Sequence, residues 1–249
     1  MPALVGTPSD EVQAILATGR SDVTTVFVSL SARHPEGRDA EYLAWHSLDH
    51  RPEQHRLAGL RASLRLVSTA SCRAARAAGS ERYDAVDHVM TYMFVEAGAL
   101  DGFLALSDGL RGAGRIPALL PMVERGVWAP SGRAAAPRTR IGADVLPWWP
   151  ARGVYLLIEQ GETDPSEVTE VPGVGGAWWM RGQGLGPPHG TADNTGLQIT
   201  YCFLDDEPAD TGERLRGFLE KRWADSAAVP LLAAPFHTLS NYEWDRYLP

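Results

Sequence analysis

Lysine is almost missing from this chain: Lys221 stands alone among 23 basic residues, the rest being arginine. Together with abundant alanine and 25 glycines, this bias points to a GC-rich bacterial genome, a matter of codon usage rather than chemistry. A basic surplus is missing too. The net charge is -8, so nothing displaces counterions from a nucleic-acid backbone, and no nucleic-acid partner is expected. Cysteine is scarce. Cys72 and Cys202 lie far apart and support neither a disulfide framework nor a metal-ligand spacing, so a reducing cytoplasm is the default. There is no run of about 18 apolar residues to cross a membrane. Met1 to Arg20 shows no charged-then-apolar leader pattern. The expectation is a cytoplasmic protein without a membrane partner. Cofactor fingerprints are also lacking: there is no G-x-S-x-G elbow, phosphate loop or dinucleotide motif. Gly173-Val174-Gly175-Gly176 opens a strand and has no strand before it and helix after it. No cofactor is expected on these grounds.

What is present is ordinary globular material. The 249 residues, 44% hydrophobic and 22% charged, are enough for one large domain or two ordinary ones. Pro8 to Thr18 reads as a short helix. Val23 to Leu30 is rich in β-branched residues and reads as a strand. A helix begins at Asp39, a candidate N-cap with Glu41 in the first turn. In Gly59 to Thr69, Leu60, Ala62, Leu64 and Leu66 alternate with Arg61, Ser63, Arg65 and Val67, the pattern of a half-buried strand. Ala70 to Ser80 reads as a loop. Val86 to Val95 is a strand with His88, Met90, Tyr92 and Phe94 on one face. Ala99 to Leu110 is a helix, and a further strand runs around Glu124 to Trp128.

Ala129 to Trp149, with its prolines, three consecutive alanines and arginines, is the linker candidate. The second half repeats the order: strand 153–159, a brief helix 164–170, strand 173–181, strand 195–204, helix 208–223 and a last strand 236–244. Each half thus reads β-α-β-β-α-β, a ferredoxin-like unit. The fold class is α+β, with residues 1–135 and 136–249 as tandem units whose sheets close into a barrel-like pseudo-dimer.

The chemistry concentrates in Tyr42-Leu43-Ala44-Trp45-His46-Ser47-Leu48-Asp49-His50-Arg51-Pro52. On a helix, residues three and four apart share a face. Leu43, His46, Ser47 and His50 form one stripe, and Tyr42, Trp45 and Asp49 the next. Pro52 is expected to end or kink the helix. Neutral imidazole takes and returns protons near pH 7, which makes His50 the first candidate acid/base and His46 its helper. Asp49 points away from His50 and suits pairing with an arginine. His88 and Tyr92 complete a polar cluster if their strand face meets this helix, with Met90 and Phe94 as apolar wall and Tyr42 and Trp45 as further substrate contacts. The same residues also fit core packing around one hydrogen-bonded histidine. The i, i+4 pair His46 and His50 fits two metal ligands, but no third is assigned. His189, in a glycine- and proline-rich loop, and His237, on the last strand, are the other histidines weighed as haem ligands.

His50-Arg51-Pro52, followed by Gly59-Leu60, resembles the His-x-Pro…Pro-Gly-Leu pattern of the dimeric α/β-barrel superfamily, especially its EthD-like members. Ala58 stands where that pattern has proline, and His46 where members often carry an aromatic. Val171-Pro172-Gly173-Val174 resembles the same strand start in the second half, without a histidine before it. The resemblance implies an intramolecular barrel with an active first half and a degenerate second. The superfamily includes cofactor-free monooxygenases, muconolactone isomerases, polyketide-type cyclases and haem proteins of the chlorite-dismutase kind, so fold alone chooses no reaction. The leading expectation is an enzyme of catabolic or secondary metabolism. It would act by His-mediated proton transfer on a small apolar or aromatic carbonyl compound, as isomerase, cyclase, lyase or cofactor-free monooxygenase. A non-catalytic small-molecule-binding protein and a haem-binding protein of the same fold stand as alternatives, and a homodimer is left open.

Overall fold

The computed structural model describes residues 5–16, 19–117, 120–184 and 190–247. The first half runs β1 (Thr25–Ser31), α1 (Asp39–Trp45), a π-helical turn (His46–His50), α2 (Arg51–Gln54), β2 (Leu60–Val67), α3 (Ala70–Ala74), β3 (His88–Phe94), α4 (Ala99–Gly112) and β4 (Met122–Ala135). The second runs β5 (Gly153–Gln160), a 3-10 turn (Ser166–Glu170), β6 (Val174–Gly182), β7 (Leu197–Leu204), α5 (Pro208–Ala224) and β8 (Val229–Thr238). Among the described residues no helix is long and apolar enough to cross a membrane.

The architecture is mixed α+β, as expected. The eight strands form one closed antiparallel barrel in the order β1-β3-β2-β8-β5-β7-β6-β4. Two joints close it. β4 pairs with β6 from Trp128–Gly182 to Ala135–Gly176, whereas β2 meets β8 only at Leu66–Thr238 and Val67–His237. Closure removes the free edges that open sheets must protect. At the first joint Gly132 lies opposite Trp179. A Cβ there would sit 2.3 Å from the indole, so only glycine lets the two strands approach.

Period-two alternation sorts the strand residues into two layers. Val26, Val28 and Leu30 of β1, Val89 and Met93 of β3, and Leu156, Ile158, Ile199 and Phe203 of the second half fill the barrel interior. The opposite faces lie under helices. In the second half this outer layer is solid: Tyr155, Leu157, Cys202 and Leu204 pack against Leu215 and Leu219 of α5. In the first half the apolar layer of Phe27, Met90, Tyr92, Phe94 and Phe103 is interrupted by Ser29, Ser31, Arg65 and His88. Short and polar side chains there leave space that the second half fills.

Several expectations are corrected. The first third of the proposed linker is sheet: Ala129 to Ala135 belong to β4, and Pro130 is accommodated at a register shift between Pro130 and Gly132, where a missing N–H breaks no regular ladder. The remainder forms 3-10 turns at Pro137–Thr139 and Ala143–Trp148. The second is pinned by the Trp178 Nε1–H donating to the Ala143 carbonyl at 2.6 Å. The loop expected at 70–80 begins with α3, capped by Thr69, whose Oγ1 accepts from the Cys72 amide at 3.2 Å. The last strand is Val229–Thr238 instead of 236–244. Pro230 and Pro235 hid it, although Pro235 sits in register with Tyr155. The helix expected at 8–18 is a 3-10 turn (Ser9–Glu11) and a helical turn (Gln13–Leu16), its end lying outside the described residues.

Candidate active site

The helical run over β1–β3 does not stop at Pro52. It continues to Gln54: His50 and Arg51 keep helical angles, and the Arg51 N–H reaches back five residues to the His46 carbonyl, so the wider π turn carries the chain past Pro52. Asp39 is the first residue of α1 and does not cap it; its carboxylate faces the sheet. The wider π turn places residues five apart above one another. Trp45 therefore stacks on His50, with ring centroids 5.0 Å apart and planes at 27°, although helical periodicity put them on separate stripes. Tyr42 packs on His46 at 5.9 Å, and His46 on His50 at 5.5 Å.

This row of rings roofs a cavity of about 370 Å³. Tyr42, His46 and His50 line it from above. Phe27 and Ser29 of β1, Arg65 of β2, and Met90 and Tyr92 of β3 form its floor. Phe103, Leu104, Ser107 and Arg111 of α4 form one wall, with Ile116, Leu120, Met122 and Arg125 beyond. The size, and a lining that sets Phe27, Met90, Phe103 and Leu104 beside an about equal share of polar and charged side chains, suit a small organic ligand that carries a polar group.

Five of the eight residues expected at the site meet at this cavity: Tyr42, His46, His50, Met90 and Tyr92. Three do not line it. Trp45 lies behind His50, donates from Nε1 to the Arg115 carbonyl at 2.8 Å, and borders a second hollow beside Arg38 and Pro117. Phe94, at the far end of β3, is buried under Phe103 with an edge contact at 5.7 Å. His88, at the start of β3, is fully buried one layer below the cavity. Its Nε2 is 2.6 Å from Asp39 Oδ1, and its Nδ1 is 3.2 Å from Arg65 Nη2. A guanidinium can only donate, so Nδ1 is the accepting nitrogen and Nε2–H donates to Asp39. The result is a fixed relay, Arg65 to His88 to Asp39. Asp49, as expected, serves an arginine, Arg115, at 3.1 Å.

The electrostatics keep the site's imidazoles neutral. Burial holds His46 well below its ordinary value, and Arg65 and His50 add to this. Burial also pushes His50 down to about 4 against the opposing pull of Asp49. His88 falls to about 4 through burial, although its bond to Asp39 works the other way. Burial alone would raise the Asp39 carboxyl; the bonds from His88 and from the His34 amide outweigh it and hold the group below its usual range. Burial raises the Tyr92 phenol.

The hydrogen-bond inventory decides which groups remain available. Tyr92 Oη and His46 Nε2 are 3.2 Å apart, and His46 Nδ1 has no partner. A neutral imidazole and a phenol hold two donors, and their mutual bond consumes one. Whichever tautomer forms, one donor is left over: the His46 Nδ1–H or the Tyr92 O–H. The Gln54 NH₂ lies 3.3 Å from His50 Nε2 and donates to Ser107 Oγ at 3.0 Å, its carbonyl oxygen is unpartnered, and His50 Nδ1 is buried and unpartnered. The Gln54 amide therefore sets the form of His50. Its NH₂ toward Nε2 puts the proton on Nδ1, and its carbonyl toward Nε2 leaves Nδ1 a free lone pair.

Arg65, Gln54, Ser29 and Ser107 were not among the expected site residues. Arg65 shares its face of β2 with Arg61 and Ser63, a polar face by its residue types. Alternation assigned it to solvent because a half-buried strand has a wet face. In a barrel clad with helices both faces are dry. His237 pairs with Glu207 at 3.3 Å, and His189 lies outside the described residues.

No family model and no curated protein matches the chain. Solved structures align over most of the chain. An anthrone oxidase-like protein aligns over 88% of this chain and 94% of its own, with 12% identity and a TM-score of 0.49. A provisionally named monooxygenase from Fusobacterium nucleatum subsp. nucleatum aligns over 88% and 93%, with 8% identity and a TM-score of 0.48. Chlorite dismutase from Candidatus Nitrospira defluvii aligns over 90% and 95%, with 11% identity and a TM-score of 0.45. No activity follows from likeness at this level.

Proposed function

We propose that this chain is an enzyme that moves a proton on a small apolar or aromatic carbonyl compound, with His50 as acid/base. One observation carries the reading: two neutral, partly unsatisfied imidazoles, His46 and His50, face a cavity of about 370 Å³ that also presents an apolar surface of Phe27, Met90, Phe103 and Leu104. Turning the Gln54 amide over, so that its carbonyl accepts from His50 Nε2–H, frees the Nδ1 lone pair to take a proton from the carbon beside the substrate carbonyl. The C–H electron pair becomes the enolate double bond, and the carbonyl oxygen takes up the negative charge. The donor left over by the His46–Tyr92 pair hydrogen-bonds that oxygen. Return of the proton from His50 to another carbon completes an isomerisation. Ring closure or bond cleavage from the same enolate gives cyclase or lyase outcomes, and attack on dissolved dioxygen gives the oxygenase outcome. Tyr42, Met90 and Phe103 hold the ring system. Trp45 and His88 act as positioning residues, one stacking on His50 and the other holding Arg65.

The same reading includes an EthD-like origin by tandem duplication. Each half orders its strands fourth-first-third-second around the barrel, which supports two ferredoxin-like units, 1–135 with the pocket and 136–249 degenerate. A bacterial source, a cytoplasmic location and a homodimer belong to this proposal; sedimentation of the purified protein tests the last.

The test is deuterium uptake at carbon. 2-Tetralone, a bicyclic enolisable ketone, is incubated with the protein in D₂O and its α-proton signal followed by NMR. The wild type should exchange it faster than buffer, and His50→Ala should not, with its melting temperature within a few degrees of wild type. Binding without accelerated exchange would instead favour a non-catalytic binding protein. A large loss of stability in the variant would make His50 a structural residue.

A further inference from the structure

We propose that the ligand of this cavity is an organic acid, a planar apolar or aromatic body whose carboxylate lies against the Arg65 guanidinium. The inference rests on reading the cavity as a small-molecule site, and it adds the chemical class. Arg65 is 3% exposed, yet it lines the cavity. Burying a guanidinium is costly unless its charge and its donors are met. Here they are met only in part. One Nη donates to His88, the ring of Tyr42 lies 5.0 Å from Cζ, and Nε–H has no partner. Among the described residues no carboxylate pairs with Arg65 directly. Asp39 is its counter-charge, but it stands on the far side of the neutral His88 ring.

That relay makes the arrangement directional. The negative end points into the protein, and the positive end meets the cavity. His88 accepts from Arg65 at Nδ1 and is therefore neutral, with no second proton to compete for the anion. The rest of the lining has the same sign. Among the described residues Asp108 is the one carboxylate on the wall, and it is bonded to Arg111 at 2.8 Å, leaving the cavity with a cationic excess. A planar, forked guanidinium with an unpartnered Nε–H is the group that takes a carboxylate through parallel hydrogen bonds, and desolvation makes such bonds strong. The apolar floor of Phe27 and Met90 is left for the body of the ligand.

Calorimetric titration of the full chain tests this with two probes of nearly equal shape, 2-naphthoate and the neutral 2-naphthamide, at pH 7.5. The wild type should bind the acid at least about tenfold more tightly than the amide. Arg65→Met should bring the ratio near one while leaving amide binding in place, and Arg65→Lys should keep part of the preference. Equal or tighter binding of the amide by the wild type overturns the carboxylate assignment and leaves the pocket reading intact. Failure of both probes to bind the wild type overturns the pocket reading as well. A preference that survives in folded Arg65→Met would place the anion elsewhere and refute the proposal. The wild-type ratio decides the first point even where a variant fails to fold.

Discussion

Acidification from pH 7.5 to 5 should destabilise the protein well before its carboxylates titrate. His50 and His88 each have a folded pKa of about 4, against 6.5 for a free imidazole. The unfolded chain therefore takes up protons first as the pH falls, and the native state resists until about 4. The stability tied to each neutral imidazole is present in full above 6.5 and is lost as the pH approaches 4. At ~1.36 kcal/mol per pH unit, that gap sets a ceiling of about 3 kcal/mol per histidine and gives roughly 2 kcal/mol by pH 5. His46 adds a loss of the same sign. Two such terms, about 4 kcal/mol, are a large part of the 5–15 kcal/mol that holds a typical domain together. Urea unfolding at fixed ionic strength measures the effect, with His50→Asn as the comparison. The variant should lose about 2 kcal/mol less than wild type between pH 7.5 and 5. A stability that stays flat over this range, or a His50 ring that titrates near 6.5 by NMR, would refute the burial argument.

Other perturbations read other parts of the site. Gln54→Glu puts a carboxylate against His50 Nε2, and the His50 pKa should rise by about 1–2 pH units in an NMR titration; an unchanged value would remove Gln54 from the proton relay. Asp39→Ala leaves the His88 Nε2–H and the His34 amide without acceptors, and denaturant unfolding should show a loss of about 2–4 kcal/mol. Phe103→Ala deletes a ring that packs on Phe27, Tyr92 and Phe94 at 4.6–5.7 Å, and should lose about 3–5 kcal/mol; a much smaller loss would mean that α4 collapses onto the cavity.

Strong period-two strands were legible in the sequence. β3 and β7 fall where alternation puts them, because every second side chain packs into the barrel interior whatever covers the other face. Pro130 and Pro235 misled because proline reads as a breaker, and only tertiary pairing reveals that one sits at a bulge and the other inside a long antiparallel ladder. His46, His50 and Tyr92 were legible through type and spacing. The stacking of Trp45 on His50 was not, since it depends on a π turn that leaves no mark in a 3.6-residue pattern. His88 was seen as polar and inward, but its depth follows from Asp39, a residue that looks like an N-cap in the sequence and serves as a buried acceptor. Arg65 was legible as part of a polar strand face and illegible as a site residue, because one strand cannot tell that helices cover both of its neighbours' outer faces.

The pH dependence of kcat/KM for 2-tetralone deuterium exchange reads out His50 itself, since kcat/KM reports the ionisation of the free protein's essential base. Exchange should be level from about pH 8 to about 5.5 and fall only toward the His50 value of about 4, and His50→Ala should abolish the enzymic rate across the range. No exchange above buffer in the wild type, a falling limb near 6.5, or a profile that survives in His50→Ala would contradict the assignment of a buried, neutral His50 as the proton carrier.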